Sequence, residues 1–368
     1  LGSNLGNKLI NLQNALFLIQ ESTGDIVQIS PVYQTPAWGF EGGDFLNACL
    51  ALETKIAPED LMGILLEIET KLGRERTDEK GYQPRTIDID ILFYGNEILQ
   101  SEHLTVPHPQ LQLRKFVLKP LSDIAPQLYH PVLAKDLRNL LQECRDDSVL
   151  VKTKYKLYKN REQLFSKLQF MAIEGNIGAG KTTLASKIAA DFNAKLILER
   201  FADNPFLPKF YEDQSRYAFP LEMSFLADRY QQFTDDTSQF DLFKKFMISD
   251  YDIYKSLIFA KVTLQAEEFT LYRKVFDVMY KEVKKPDVYV FLYQSSERLL
   301  ENIKKRGRDY ERNISQDYLE KINQGYMEFL KSRTDRNSII IELEEFDFVE
   351  SQDDYEKVLT KIQNFIVN

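Results

Sequence analysis

Residues 170–190 hold the feature that most restricts how this chain can fold. The run Phe170-Met171-Ala172-Ile173-Glu174-Gly175-Asn176-Ile177-Gly178-Ala179-Gly180-Lys181-Thr182-Thr183 is an apolar stretch of strand character entering Gly-x-x-x-x-Gly-Lys-Thr. Leu184, Ile188 and Phe192 then recur every four residues, which predicts a helix. Strand, glycine-rich loop and helix in this order make a phosphate-binding loop. Glycines let the backbone curl so that successive N–H groups face an anion, and the helix adds its positive N-terminal end. Gly175, Asn176, Ile177, Gly178, Ala179, Gly180, Lys181, Thr182 and Thr183 are therefore candidate ATP-binding residues. Lys181 reaches the terminal phosphates and the Thr182 hydroxyl serves as a Mg²⁺ ligand.

The length of 368 residues suggests two domains, read as 1–150, a connector at 151–167 and 168–368. A formal net charge of −9 argues against nucleic acid or an anionic membrane as the main partner. Only Cys49 and Cys144 occur, with no zinc or disulfide spacing, which fits a reducing cytoplasm. No signal peptide and no bilayer-length apolar run is visible. The opening Leu1-Gly2-Ser3-Asn4 reads as the end of a strand, so a first strand is expected to be missing from this numbering.

In the first half, a helix is expected through Leu9, Leu12, Leu16 and Ile19. Strands are expected at 26–34 and 45–54, a helix from Pro58 to Leu72, a strand at 86–93 and a short apolar helix after Phe116. Strands and helices mix without regular βαβ order, which points to an α+β sandwich. Asp88 and Asp90 alternate with Ile87, Ile89 and Ile91, so both carboxylates project from one face. Spacing alone favours a solvated acidic face. Arg74, Arg76, Arg85 and Arg114 shift the balance towards a polyphosphate site holding Mg²⁺ between the two aspartates.

Leu1-Gly2-Ser3-Asn4, Tyr33-Gln34-Thr35-Pro36, Phe45-Leu46-Asn47, Gly73-Arg74-Glu75-Arg76, Pro84-Arg85-Thr86-Ile87-Asp88-Ile89-Asp90 and Val106-Pro107-His108-Pro109 follow one another in order. Together they resemble 6-hydroxymethyl-7,8-dihydropterin pyrophosphokinase, the folate-pathway enzyme, from Leu1 to about Leu141. The resemblance implies a ferredoxin-like fold and transfer of pyrophosphate from ATP to the pterin hydroxymethyl group. By position, Asp88 and Asp90 match the Mg²⁺ ligands. Arg74, Arg76, Arg85, His108 and Arg114 match the ATP and catalytic-loop residues. Thr35, Pro36, Phe45, Asn47 and Phe116 match the pterin pocket, with Glu69 behind it. Phe45 stands where tyrosine is common, and Tyr82 falls near a usual tryptophan. For a lone aromatic such as Phe116, core packing is the commoner explanation.

In the second half, a strand at 194–198 ends on Glu199, where a carboxylate near the γ-phosphate suits a general base. Glu199-Arg200-Phe201-Ala202-Asp203-Asn204-Pro205-Phe206-Leu207, Phe210-Tyr211-Glu212-Asp213 and Phe219-Pro220-Leu221-Glu222-Met223-Ser224-Phe225-Leu226-Ala227-Asp228-Arg229 resemble the deoxyribonucleoside kinases. The bacterial deoxyadenosine and deoxyguanosine kinases are the branch most alike. The resemblance implies a parallel sheet with helices on both sides, a mobile lid and a homodimer. It makes Glu199 the base on the 5′-hydroxyl and assigns Tyr211 and Glu311 to the 3′-hydroxyl. Phe225 falls beside the base, Glu222 and Arg229 fall at its edge, and Arg306, Arg308 and Arg312 fall in the lid. Glu222 stands where glutamine is usual, and a carboxylate only accepts hydrogen bonds. Deoxyadenosine is the expected substrate, deoxyguanosine also fits, and Glu222→Gln is expected to widen base preference. At Ser249-Asp250-Tyr251 the family's acidic-Arg-Ser run is missing its arginine, which leaves Asp250 to keep the acidic role.

The expectation is a cytoplasmic bifunctional transferase with two separate ATP- and Mg²⁺-using sites, small-molecule substrates and no channelling between them. Two alternatives stand beside it. The second half can be a nucleoside-monophosphate kinase, or one half can be a non-catalytic binding or dimerisation module.

Overall fold

The computed structural model describes residues 1–38, 42–74, 83–200, 204–238, 243–308, 311–312, 314–332 and 337–368. The chain divides into two units, Leu1–Leu164 with Val367–Asn368, and Phe165–Ile366.

The first unit opens with β1 (Gly2–Ser3), α1 (Lys8–Ser22), β2 (Asp25–Ile29), β3 (Tyr33–Thr35), β4 (Phe45–Asn47), β5 (Leu50–Glu53) and α2 (Pro58–Lys71). Asn7 caps α1 by accepting from the Ile10 nitrogen, and Pro58 sits in the first turn of α2, where no donor is missed. Strand β4 lies between β1 and β3, and all three are antiparallel. The expected strands at 26–34 and 45–54 each divide in two. Their first and second pieces pair in different sheets, β2 with β5 and β3 with β4. The expected strand at 86–93 is reduced to one bridge, Gly2 with Asp88, closed by two backbone hydrogen bonds of 2.9 and 2.8 Å. Its alternation holds all the same: Ile87, Ile89 and Ile91 are buried, while Asp88 is half-buried and Asp90 exposed. Those isoleucines join Leu12 and Leu16 of α1 and Leu61, Leu65 and Ile68 of α2 in one core, an α+β sandwich.

Beyond it come β6 (Leu99–Gln100) pairing β7 (Thr105–Val106), α3 (Lys115–Ile124), β8 (Tyr129–His130) pairing β9 (Lys135–Asp136), and α4 (Leu137–Glu143). Within the stretch expected as a connector, β10 (Val151–Lys152) adds an antiparallel edge to β3.

After the short helix α5 (Arg161–Phe165), the second unit begins with β11 (Phe170–Gly175), α6 (Lys181–Asp191) and β12 (Lys195–Ile197). Then follow α7 (Leu207–Glu212), α8 (Gln214–Ser238), β13 (Met247–Ser249), α9 (Lys255–Thr263), α10 (Ala266–Tyr280), β14 (Val288–Tyr293), α11 (Ser296–Arg306), α12 (Gln316–Ser332), β15 (Ser338–Glu342) and α13 (Gln352–Val367). The five strands run parallel in the order β12-β13-β11-β14-β15. Strand β11 is buried along its whole length, as a central parallel strand covered on both faces must be. Its side chains alternate between two cores. Met171 and Ile173 meet Leu184 and Ile188 of α6, Leu299 of α11 and Val358 of α13. Phe170 and Ala172 meet Leu226 of α8, Ile258 of α9 and Tyr326 of α12. The chain order reverses direction across the sheet at β11, and ligands in open α/β sheets gather at the carboxyl ends of strands at such a point.

Ser295 caps α11 and Gly307 ends it at φ +73°, which delivers Arg306 and Arg308 to the same rim. Among the described residues no helix is long and apolar enough to cross a membrane.

Candidate active sites

A cavity of about 680 Å³ opens in the first unit. Its walls include Thr35 at the end of β3 and Pro36 after it, Phe45 and Asn47 from β4, Arg85, Asp88 and Asp90, and Arg114 and Phe116 at the start of α3. The Asn47 amide donates to the Thr35 hydroxyl at 2.8 Å, so two adjacent strands fix the amide's orientation. Asp88 is held from both sides. Arg74 bonds one oxygen at 2.6 Å and Arg85 pairs with the other at 3.1 Å.

Glu69, expected behind the pocket, is buried in α2 and does not line the cavity. It accepts from the Ile89 nitrogen at 2.7 Å and pairs with Arg74, tying the aspartate segment to the helix. His108 also lies off the cavity wall and accepts from the Gln110 nitrogen at 3.2 Å. Burial, set against Asp90, lowers its imidazole below the usual value. Arg76 and Tyr82 lie outside the described residues. Trp38, not singled out in the sequence, lies on the wall, with Arg114 5.2 Å from its ring centre and Phe116 at 6.4 Å. Its signal was its place in an aromatic loop directly after Thr35 and Pro36.

The second unit holds a cavity of about 840 Å³ at the carboxyl ends of β11, β12 and β13. Ile177, Gly178, Lys181 and Thr182 form one wall; Glu199, Tyr211, Glu222, Phe225 and Arg229 another; Arg306, Arg308 and Glu311 the rim. The loop needs its glycines. Gly180 has φ +86°, and a Cβ there would lie 2.7 Å from the Phe348 ring. Asn176 anchors the loop by donating to the Leu319 carbonyl and to Asn323, each at 2.8 Å. The Lys181 ammonium donates to the Asn176 carbonyl at 2.8 Å, and burial together with Lys255 pushes it down to about 8.

Glu199 is bound on both oxygens, by Arg229 at 2.7 Å and by Lys255 at 2.7 Å. Burial opposes its charge, but Lys255 and Arg229 hold the carboxyl well below the usual carboxylate range. Arg229, expected at the base edge, is thus turned to Glu199 and to the Ser256 hydroxyl, because a buried carboxylate one helix away demands a charged partner. Lys255 and Asp250 complete the site. Asp250 accepts from the Glu199 nitrogen at 2.8 Å and from the Thr182 hydroxyl, linking β12 to the phosphate loop. Lys255 was not legible as a site residue; its only signal was a lysine just ahead of the apolar run Leu257–Ala260. Glu311 accepts from Arg306 at 3.1 Å and pairs with Arg308 at 3.5 Å, so the rim arginines rest on the carboxylate expected to hold the 3′-hydroxyl. Thr183 sits in the first turn of α6, off the cavity wall.

The oxygens present suit Mg²⁺, a hard cation that takes carboxylate and hydroxyl ligands. Asp88 and Asp90 would hold it in the first unit, Thr182 and Asp250 in the second. No cluster of three or more His, Cys, Asp or Glu occurs among the described residues, so phosphate oxygens and water would supply the other ligands.

A family model described as 7,8-dihydro-6-hydroxymethylpterin-pyrophosphokinase matches residues 1–126, and one described as deoxynucleoside kinase matches residues 171–367. Over 202 residues the chain is 36% identical to a deoxyguanosine kinase of Bacillus subtilis, covering 54% of this chain and 98% of that one. It is 40% identical over 144 residues to a 2-amino-4-hydroxy-6-hydroxymethyldihydropteridine pyrophosphokinase of Synechocystis, covering 39% of this chain and 73% of that one. A protein of the same description from Porphyromonas gingivalis is 45% identical over 134 residues, which is 36% of this chain and 90% of that one. The chain therefore belongs to two families at once, the dihydropterin pyrophosphokinases through its first unit and the deoxynucleoside kinases through its second.

Proposed function

We propose that the first unit transfers pyrophosphate from ATP to 6-hydroxymethyl-7,8-dihydropterin, and that the second transfers the γ-phosphoryl group of ATP to the 5′-hydroxyl of deoxyadenosine. For the second unit the reading rests on one observation: Lys181, Thr182 and Glu199 line the same cavity as Tyr211, Glu222 and Glu311. That puts a phosphate grip, a carboxylate base and polar groups for an uncharged sugar around one space. Glu199 takes the proton of the attacking hydroxyl, and Lys255 and Arg229 keep it ionised for that purpose. Arg306 and Arg308, now on Glu311, neutralise charge on the transferring group once a sugar hydroxyl occupies that carboxylate. Mg²⁺, when bound, would spread the negative charge of the phosphates in both units.

In the first unit, the aromatic and amide wall of Phe45, Asn47, Trp38 and Phe116 suits a planar pterin, and the arginines beside Asp88 suit polyphosphate. Both units work in the cytoplasm, and the kinase unit forms a homodimer. Deoxyguanosine is the second reading for the kinase unit, favoured by the similarity to the Bacillus subtilis protein.

Assaying the full chain with the dihydropterin, the four deoxynucleosides and their monophosphates tests both halves. Asp88→Ala is expected to cut pterin pyrophosphorylation about 1,000-fold and to spare nucleoside phosphorylation, and Lys181→Ala to do the reverse. If both activities fall together in either variant, two independent sites are ruled out. Phosphorylation of monophosphates in preference to nucleosides would refute the nucleoside acceptor.

A further inference from the structure

Glu222 stands apart from the other carboxylates of the kinase cavity. It projects from α8 into the cavity and is only 2% exposed. The Thr263 hydroxyl donates to Oε1 at 3.0 Å. The second oxygen, Oε2, is buried and has no hydrogen-bond partner among the described residues. Glu199, one helix away, has a cation on each oxygen.

The charged and titratable groups facing Glu222 are Arg229 on α8, Lys255 on α9, Tyr272 on α10 and Tyr318 on α12. Both cations are engaged by Glu199, and neither tyrosine supplies a charge. Burial pushes the Glu222 carboxyl up to about 7, against the opposing pull of Arg229, Thr263 and Lys255.

A protonated carboxyl has what a carboxylate lacks, a donor beside an acceptor. Adenine presents an amino donor next to a ring-nitrogen acceptor, so it matches the neutral acid. Its ring nitrogen would face a lone pair of the ionised form. Guanine presents two adjacent donors, N1–H and the 2-amino group, which match a carboxylate. We propose that Glu222 reads adenine as a neutral acid, with Oε2–H donating to the ring nitrogen and Oε1 accepting from the amino group, and that its ionisation turns the same pocket towards guanine. The proposal rests on the nucleoside-kinase reading above. It also changes what the Gln substitution is expected to do, because Gln is a permanent mimic of the neutral acid.

The experiment measures kcat/KM for deoxyadenosine and deoxyguanosine on the full chain from about pH 5.5 to about pH 8.5, around the Glu222 value of about 7. Both substrates share the Glu199 base, so the ratio cancels its titration. The wild-type ratio of deoxyadenosine to deoxyguanosine should fall by at least about tenfold across that range. In Glu222→Gln the ratio should stay flat and at its low-pH value. In Thr263→Val the midpoint should move to higher pH, because the lost hydrogen bond favoured the ionised form. A flat wild-type ratio, or a Glu222→Gln variant that keeps the wild-type slope, overturns the proposal. If the Gln variant does not fold, the wild-type profile and the direction of the Thr263→Val shift decide. Failure of wild type to phosphorylate either nucleoside at any pH would instead overturn the kinase reading itself, and the proposal with it.

Discussion

Replacing Lys255 by Met removes one of the two cations on Glu199 while keeping a similar volume. The ammonium sits 2.7 Å from Oε2, and the two side chains are 7% and 8% exposed. At that distance, with an effective dielectric of about 20, the attraction is about 6 kcal/mol. Desolvation of the two charges offsets part of it, and removing one partner of a buried pair costs about 3–5 kcal/mol. Arg229 still holds Oε1, so the lower figure, about 3 kcal/mol, applies here. Lost from the folded state, it lowers the Tm of the kinase unit by roughly 6–12 °C. The loss falls on ground and transition states alike, so kcat falls through displacement of the freed Glu199 carboxylate, where a misplacement of about 1 Å costs roughly 100-fold with little change in KM. The assay is differential scanning calorimetry of the full chain together with both activities on one sample. Pterin pyrophosphorylation serves as the internal control, and Lys255→Arg should recover part of the loss. A Lys255→Met protein that keeps kcat within about threefold and Tm within about 2 °C would refute the assignment of Lys255 as support for the base.

Two further outcomes concern the kinase unit. Glu174 is buried, accepts from the Asp252 nitrogen at 2.6 Å and from the Tyr326 hydroxyl at 2.8 Å, and burial raises it to about 7. A raised carboxyl contributes stability that is full below its unfolded value of about 4.5 and is lost as pH rises through about 7, here about 3 kcal/mol. Denaturant titrations should therefore show Glu174→Gln gaining on wild type as pH rises across that window, and an unchanged difference would contradict it. Gly180→Ala forces a side chain into left-handed backbone and against Phe348, so it should cost about 2 kcal/mol and abolish ATP binding by the kinase unit as read by calorimetric titration.

The phosphate loop was legible because its requirements are local. Gly175, Gly178 and Gly180 all adopt positive φ, and the strand and helix beside them carry plain periodic patterns. The aspartate pair was legible as a pattern of faces but not as a strand, since alternation reports burial and not the ladder: among the described residues Asp88 makes a single bridge, to Gly2. Residues 26–34 and 45–54 read as continuous strands because both of their pieces are apolar, and only tertiary pairing shows which sheet each piece joins. Strand β13, three residues long, is too short for any periodic signal, yet it sets the height of Asp250 and leads into Lys255. Those two side chains act through burial beside Glu199, which the order of residues does not reveal. The pairing of Arg229 with Glu199 was hidden for the same reason.

The order of strands in the kinase sheet has a consequence during synthesis. The Gln169 and Phe170 nitrogens at the start of β11 bond the Asp287 carboxylate, 118 and 117 residues further along, and β14 covers one edge of β11 along most of its length. At typical elongation rates that partner leaves the ribosome roughly ten seconds after β11 does. Until β13 is made both edges of this buried central strand are unpaired, and until β14 is made one still is, the state in which chains aggregate. The first unit draws its last strand from Val151 and Lys152, so its sheet can close before β11 is made. Val367 and Asn368 join the first unit only when synthesis ends, so its sheet is complete long before its packing is.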